Sequence, residues 1–291
     1  MLFTQSLLAL ALQVGPNPAV IPPTDAHREL RERPPREQHE QAALDPASAW
    51  LAQCLATIEE DASRAHTRAQ IRRNESTGAD RVIANHCLGL AAARLRLWDD
   101  AMTAFEAARD ETPANEPRAR ARFAIMAGNA ALGGGDAVRA DRLLASAVAD
   151  AETAASATLH AIAATDHARA LVALDRPGEA LVRLETATAL APERAEGWLL
   201  RATLLRRLDR LGEAQGAIET AGQLAPLDQR VGLEAGIIAL FDGREEAARE
   251  SWQSVIALDP DTQAAATARD YLAQIGADED TAAPVSAEPA S

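Results

Sequence analysis

No lysine occurs in the 291 residues, and all 29 basic side chains are arginine. Beside so much alanine, this reads as the coding bias of a G+C-rich genome rather than a functional device. A net charge of −14 argues against nucleic acid as the partner, for which a basic stripe is expected. Cysteine is nearly absent: Cys54 and Cys87 form no CxxC pair and accompany no zinc pattern. Aromatic residues make up 3% of the chain, so a core must be packed from alanine and aliphatic side chains. No apolar stretch is long enough to span a membrane, because the run at residues 1–14 falls short of the roughly 20 residues a helix needs. GxSxG, HExxH and any nucleophile beside a base are also missing, so neither an enzyme nor a cofactor is expected.

What is present is a beat. Pro192, Pro226 and Pro260 stand 34 residues apart, and each closes an apolar phrase: TALAP, GQLAP, IALDP. Twelve, eight and five residues upstream the same sizes recur: Ala180, Leu184, Ala187; Ala214, Ile218, Ala221; Ala248, Trp252, Val255. An equal spacing held three times is a repeat signature. Within residues 195–228, Trp198, Ala202 and Leu205 draw one stripe at i, i+4, i+7. After a break at Asp209–Gly212, Ala214, Ile218 and Ala221 draw a second. The unit is therefore two helices, and the proline turns the chain into the next. One such hairpin buries little alone and must stack on its neighbours.

This pattern resembles the tetratricopeptide repeat. Residues 82–115 carry Leu88-Gly89, Ala101, Phe105, Ala108 and Pro113. Residues 121–154 carry Gly128, Ala140, Leu144 and Ala147 without a closing proline. Residues 161–194 carry Ala168, Leu171, Ala180, Leu184, Ala187 and Pro192, and the units 195–228 and 229–262 follow. The helix A aromatic of the family is here Ala92, Ala131, Leu171, Leu205 and Ala239, a departure that implies smaller cores. The resemblance implies an all-α chain, a right-handed α-solenoid of stacked antiparallel helix hairpins.

The rest of the chain is read around that stack. Residues 1–14 fit the apolar region of a secretory signal, with Ala9-Leu10-Ala11 as a cleavage site, although the start carries no charge beyond the α-amine. The alternative is a plain apolar N-terminus; export to the periplasm is the expectation, and otherwise a cytoplasmic protein. Residues 15–45, rich in proline and charge, read as a disordered linker in which His27 and His39 are solvated. Asp45-Pro46 marks a helix start, opening a degenerate first hairpin at 46–74. Glu116–Arg120 and Ala155–His160 are small insertions that lengthen helices or loops. Residues 261–275 read as a capping helix with Ala265, Ala268, Leu272 and Ile275 inward, stopped by Gly276. Residues 276–291 read as a disordered acidic tail. The whole solenoid spans 46–275.

Three smaller features receive structural readings. Gly133-Gly134-Gly135 lacks the strand and the Lys-Ser/Thr pair of a phosphate cradle, so it is a tight turn. Cys54 and Cys87 are expected on neighbouring A helices as buried free thiols, since stacked helices lie about 10 Å apart. His66, His86, His160 and His167 show no metal spacing, so no metal is expected, and Asp166-His167 has no serine or cysteine placed to use it.

In the family, helix A lines a concave groove that holds peptides. The resemblance places Arg94, Arg122, Asn129, Arg169, Arg206, Arg207 and Arg230 on or beside that groove, with an apolar patch of Leu233, Ile237, Leu240 and Phe241. The slots of the family's carboxylate clamp hold His86, Leu90, Ile125 and Asn129, of which only Asn129 matches. The function these features imply is a non-catalytic scaffold holding a protein or peptide partner, with cell-envelope assembly as the expected setting. The alternative is an enzyme or small-ligand module whose site no motif reveals.

Overall fold

A computed structural model of the chain describes residues 46–282. The expected signal segment 1–14, the linker 15–45 and the end of the tail lie outside the described residues. Within them the chain forms six helix hairpins and one further helix. The first hairpins are α1 (Pro46–Glu60) with α2 (Ala62–Glu75), α3 (Gly78–Arg94) with α4 (Trp98–Glu111), and α5 (Pro117–Gly133) with α6 (Ala137–Thr153). Then come α7 (Ala157–Ala173) with α8 (Pro177–Leu190), α9 (Ala195–Arg207) with α10 (Leu211–Leu224), and α11 (Gln229–Phe241) with α12 (Glu245–Leu258). The last helix is α13 (Gln263–Ala282). The first helix of each pair is called A and the second B. Each helix packs on the one before and the one after, and A helices also touch the next A helix, as α5 with α7 and α7 with α9.

The core follows the beat. Ala101, Ala140, Ala180, Ala214 and Ala248 are fully buried at one position of successive B helices. Beside them a small residue on helix A receives a large one on helix B, 16 residues further on: Gly89 under Phe105, Gly128 under Leu144, Gly236 under Trp252. Ala168 with Leu184 and Ala202 with Ile218 hold the same places in the units between. A Cβ added at Gly89 would stand 2.5 Å from the Phe105 ring, so Gly89→Ala is expected to cost about 1–3 kcal/mol by overpacking. At Gly216 of α10 an added Cβ meets nothing within 4 Å. Gly216→Ala should therefore gain about 0.5–1 kcal/mol of helix stability. Thermal melts of the two variants should move in opposite directions; a shift of the same sign would contradict this packing.

The turns explain the remaining spacing. Helices α3, α5, α7, α9 and α11 each leave through a left-handed residue: Arg96, Gly135, Asp175, Asp209 and Gly243, with φ of 59°, 80°, 55°, 59° and 73°. The following N–H reaches back five residues, as Arg210 N does to Leu205 O at 2.9 Å, which satisfies carbonyls the helix end leaves open. Gly135 is the last of the glycine run, which is thus a turn. B helices instead end at the residue before proline: Ala191, Ala225 and Asp259 swing to φ of −141°, −138° and −160°, as the following ring requires. The unit that lacks a proline uses a left-handed Ala155 (φ 48°), and Ser156 then caps α7. The two insertions supply first turns, so α5 and α7 run 17 residues where α9 and α11 run 13.

Two expectations are corrected. Helix α13 does not stop at Gly276 but continues to Ala282. One glycine costs a helix only about 1 kcal/mol relative to alanine, too little to end it unaided. Its core face is Ala265, Ala268 and Ile275, with Leu272 half-buried. The second correction concerns the cysteines. Cys54 of α1 and Cys87 of α3 are not free thiols but a disulfide, with Cα atoms 6.3 Å apart. The spacing of about 10 Å between helices is a distance between axes. Cα atoms lie about 2.3 Å off each axis, so two residues facing each other across the contact come within bonding reach.

Candidate binding face

The A helices carry the residues singled out for the groove, and the structure sorts them by partner. Asn129 of α5 donates to Asp166 Oδ2 of α7 at 2.9 Å. Arg169 donates to the other oxygen, Asp166 Oδ1, at 2.6 Å, and its second arm reaches Glu196 of α9. Glu196 also takes Arg230 of α11 at 3.0 Å, and Arg230 holds Asp228 at 2.7 Å. One ladder of polar contacts therefore laces four successive A helices together. Arg206 is engaged separately, donating from Nε to Glu234 Oε1 at 2.7 Å and lying 5.6 Å over the Phe241 ring. Glu234 is buried, so removing Arg206 alone would leave an uncompensated charge and cost more than breaking a surface ion pair.

Arg94, Arg122 and Arg207 are exposed and form no ion pair among the described residues. They do not share one lane. Arg94 and Arg207 end their helices, whereas Arg122 lies in the second turn of α5, about 16 Å away along the helix direction. The apolar patch is smaller than the repeat phase implied. Leu233, Ile237 and Leu240 are half-buried against the cluster of Trp252, Val255 and Ile275, and Phe241 alone stands 63% exposed.

Between α7 and α9 the face opens into a cavity of about 220 Å³. Ala168, Val172, Leu184, Leu200 and Leu204 line it, and Arg169 and Arg207 stand at its edge. The charge of Arg169 is met by Asp166 and Glu196, which leaves Arg207 as the cation open to an incoming group. Sequence reasoning had Arg169 and Arg207 but missed the carboxylates Asp166, Glu196 and Glu234. Only the i, i+3 spacing of Asp166 and Arg169 was a readable signal; the other pairs cross between helices.

Asp166 and His167, adjacent in sequence, point to different neighbours. Burial raises the Asp166 pKa, and Asn129 and Arg169 offset only part of that. His167 Nε2 lies 2.6 Å from Asp141 Oδ1 of α6, and Arg176 holds Asp141 Oδ2 at 3.0 Å. Asp141 is held below the usual carboxylate range: burial raises it, and the hydrogen bonds and charges of His167 and Arg176 outweigh that. For His167 burial wins over Asp141, and its pKa is lowered. The contact is therefore a neutral imidazole N–H donating to a carboxylate. His86, edge-on to Phe123, is likewise lowered by burial.

A histidine depressed in the folded state takes its proton more readily unfolded. Its stabilisation is complete above the unfolded pKa of about 6.5 and is lost as pH falls below it. Thermal stability should accordingly decline from pH 7 to pH 5, and His86→Phe should flatten part of that decline. An unchanged slope in the variant would remove His86 from the account. No group of three or more metal-binding side chains comes together among the described residues.

The arrangement of the hairpins has known counterparts. The crystal structure of PilW, described as a widely conserved type IV pilus biogenesis factor, matches at TM-score 0.63 and 17% identity, over 77% of this chain and 99% of that one. The fold is that of a tetratricopeptide-repeat solenoid. Pseudomonas aeruginosa PilF matches this solenoid at TM-score 0.59 and 14% identity, over 78% of this chain and 97% of that one. MamA from residue 41 onward, from Desulfovibrio magneticus RS-1, matches at TM-score 0.52 and 17% identity, over 65% and 99%. At such identities the likeness is one of fold. No protein-family model matches the sequence, and no curated protein matches it. Among the described residues no helix of the solenoid is long and apolar enough to cross a membrane.

Proposed function

We propose that the solenoid is a non-catalytic interaction scaffold that holds a protein or peptide segment along its A-helix face. The observation that carries this reading is the cavity between α7 and α9. Its lining is apolar, and the unpaired Arg207 stands at its edge. An apolar side chain of the partner fills it, and a nearby carboxylate of the partner meets the guanidinium, whose planar fork suits it. At about 220 Å³ this cavity fits one side chain rather than a drug-sized ligand, which needs roughly 300–1,000 Å³. Arg94, Arg122, Asn129, Arg169, Arg206, Arg230 and Phe241 belong to the same face, most of them as its frame.

The reading includes export and a place in a cell-envelope assembly. The Cys54–Cys87 disulfide supports it, because such bonds persist in oxidising compartments. PilW, a pilus biogenesis factor by its description, is a fold neighbour consistent with that setting. Immobilised wild type and Val172→Trp, whose indole fills the cavity, would be exposed to an envelope extract of the native cell and analysed by mass spectrometry. A partner held by the wild type and released by the variant is the expected result. Retention of nothing by the wild type would sink the scaffold reading. For export, the mature chain should lack residues 1–14; an intact N-terminus in the cytoplasmic fraction would reverse it.

A further inference from the structure

A second opening lies among α10, α11 and α12, sharing no lining residue with the cavity described above. It measures about 310 Å³, and the stack itself shows what it is shaped for. One repeat earlier, 34 residues upstream, the same place is filled from within the chain. There Trp198 donates its indole N–H to Pro192 O at 2.9 Å. Arg201 lies 5.6 Å over that ring, donates to Thr188 Oγ1, and faces Glu185 at 4.0 Å.

In the next unit each of these side chains is missing, and Val255 Cγ2, 2.5 Å from where a Cβ on Gly232 would stand, takes only the start of the tryptophan's place. Trp198 becomes Gly232, Arg201 becomes Ala235 and Thr188 becomes Gly222, each at 34 residues. Their acceptors remain. Pro226 stands for Pro192 and Glu219 for Glu185, and both line the cleft. Thr188 and Ala191 are buried where the place is filled, whereas their counterparts Gly222 and Ala225 are half-buried. Leu258, 42% exposed, lines the opening.

We propose that this cleft docks a helical segment of a partner protein that presents an aromatic side chain and, one turn later, a basic one. The aromatic ring takes the place of the Trp198 indole, and an indole N–H would find Pro226 O. The basic group takes the place of the Arg201 guanidinium and meets Glu219, which accepts from the neutral amide of Gln215 at 2.6 Å and forms no ion pair among the described residues. A basic partner also suits a chain of net charge −14, through steering that salt weakens. The surface is independent of the A-helix face, so either can fail alone.

The test uses the full chain and a fluorescein-labelled, lactam-stapled peptide with the sequence of residues 195–207, which carries the tryptophan and arginine at the right spacing. Binding is followed by fluorescence anisotropy. Saturable binding is expected, weakened by about tenfold or more when the peptide tryptophan becomes alanine, as for a buried aromatic anchor. Replacing the peptide arginine that matches Arg201 by glutamine should weaken it less and flatten its salt dependence. The protein variant Gly222→Thr with Ala235→Arg restores the earlier unit's own side chains. A Cβ at Gly222 has only Val231 Cγ1 near it, at 3.9 Å, so this variant should fold and lose the peptide about tenfold. Equal binding by that variant, equal binding of the alanine peptide, or no binding at all would overturn the proposal. So would a wild-type dimer in sedimentation that the variant lacks, since it assigns the cleft to a second copy.

Discussion

Trp252→Ala is expected to lower stability by about 3–5 kcal/mol, the range for removing a large buried aromatic side chain. Trp252 is 1% exposed, the largest fully buried side chain in the stack. It holds the C-terminal end together from several sides. Its indole N–H reaches Leu233 O of α11 at 3.2 Å, its ring lies 5.0 Å from that of Tyr271 on α13, and Gly236 lets it sit against the backbone. Truncation opens a cavity between three helices and removes a hydrogen bond to a carbonyl that keeps its partner within the helix. Because a solenoid's stability is a sum of unit and interface contributions, the loss should appear first as early melting of α11 to α13. Circular dichroism in urea should show a new low-denaturant phase, and hydrogen exchange should place it there. Trp198→Ala is the control: that indole is half-buried, and its loss should cost clearly less. Equal costs for the two tryptophans would contradict the packing at the C-terminal end.

At the other end, the Cys54–Cys87 disulfide closes a loop of 33 residues, which the chain-entropy account values at about 3–4 kcal/mol. It ties α1 to α3, while Ile58 of α1 packs on Leu88 and Ala91. Reducing the chain, or Cys87→Ser, should therefore loosen the first hairpin and lower its melting temperature, with the later units little changed. Reductant should then have no further effect on the variant. If protein prepared without reductant takes up two alkyl groups at Cys54 and Cys87, the disulfide is not present and this prediction fails with it.

The difference between the two cavities turns on which side chains the chain withholds. On the A-helix face the carboxylates Asp166, Glu196 and Glu234 meet the charge of Arg169, Arg206 and Arg230. Arg94, Arg122 and Arg207 stay unpaired among the described residues, and of these three Arg207 lines the cavity. Near α12 the loss of three side chains at repeat spacing leaves Glu219 with a neutral amide where its counterpart Glu185 faces an arginine. Neither arrangement is a motif, since each depends on pairs drawn from different helices.

What this sequence determined by itself is the repeat and all that depends on spacing along one helix. The 34-residue beat placed Ala180, Ala214 and Ala248 in the core, where all three are fully buried. The glycine run and the prolines marked turns, because backbone restrictions act locally. The tertiary structure alone decided the contacts that cross between helices. Cys54 and Cys87 bond because Cα atoms approach more closely than helix axes do. Arg169 and Arg206 are spent because Glu196 and Glu234 arrive from the next A helix. Leu233 and Ile237 are partly covered because they pack into the cluster shared with α13. Periodicity reports which face a residue occupies, but the partner on that face is set by the distance and rotation between helices, and those exist only in three dimensions.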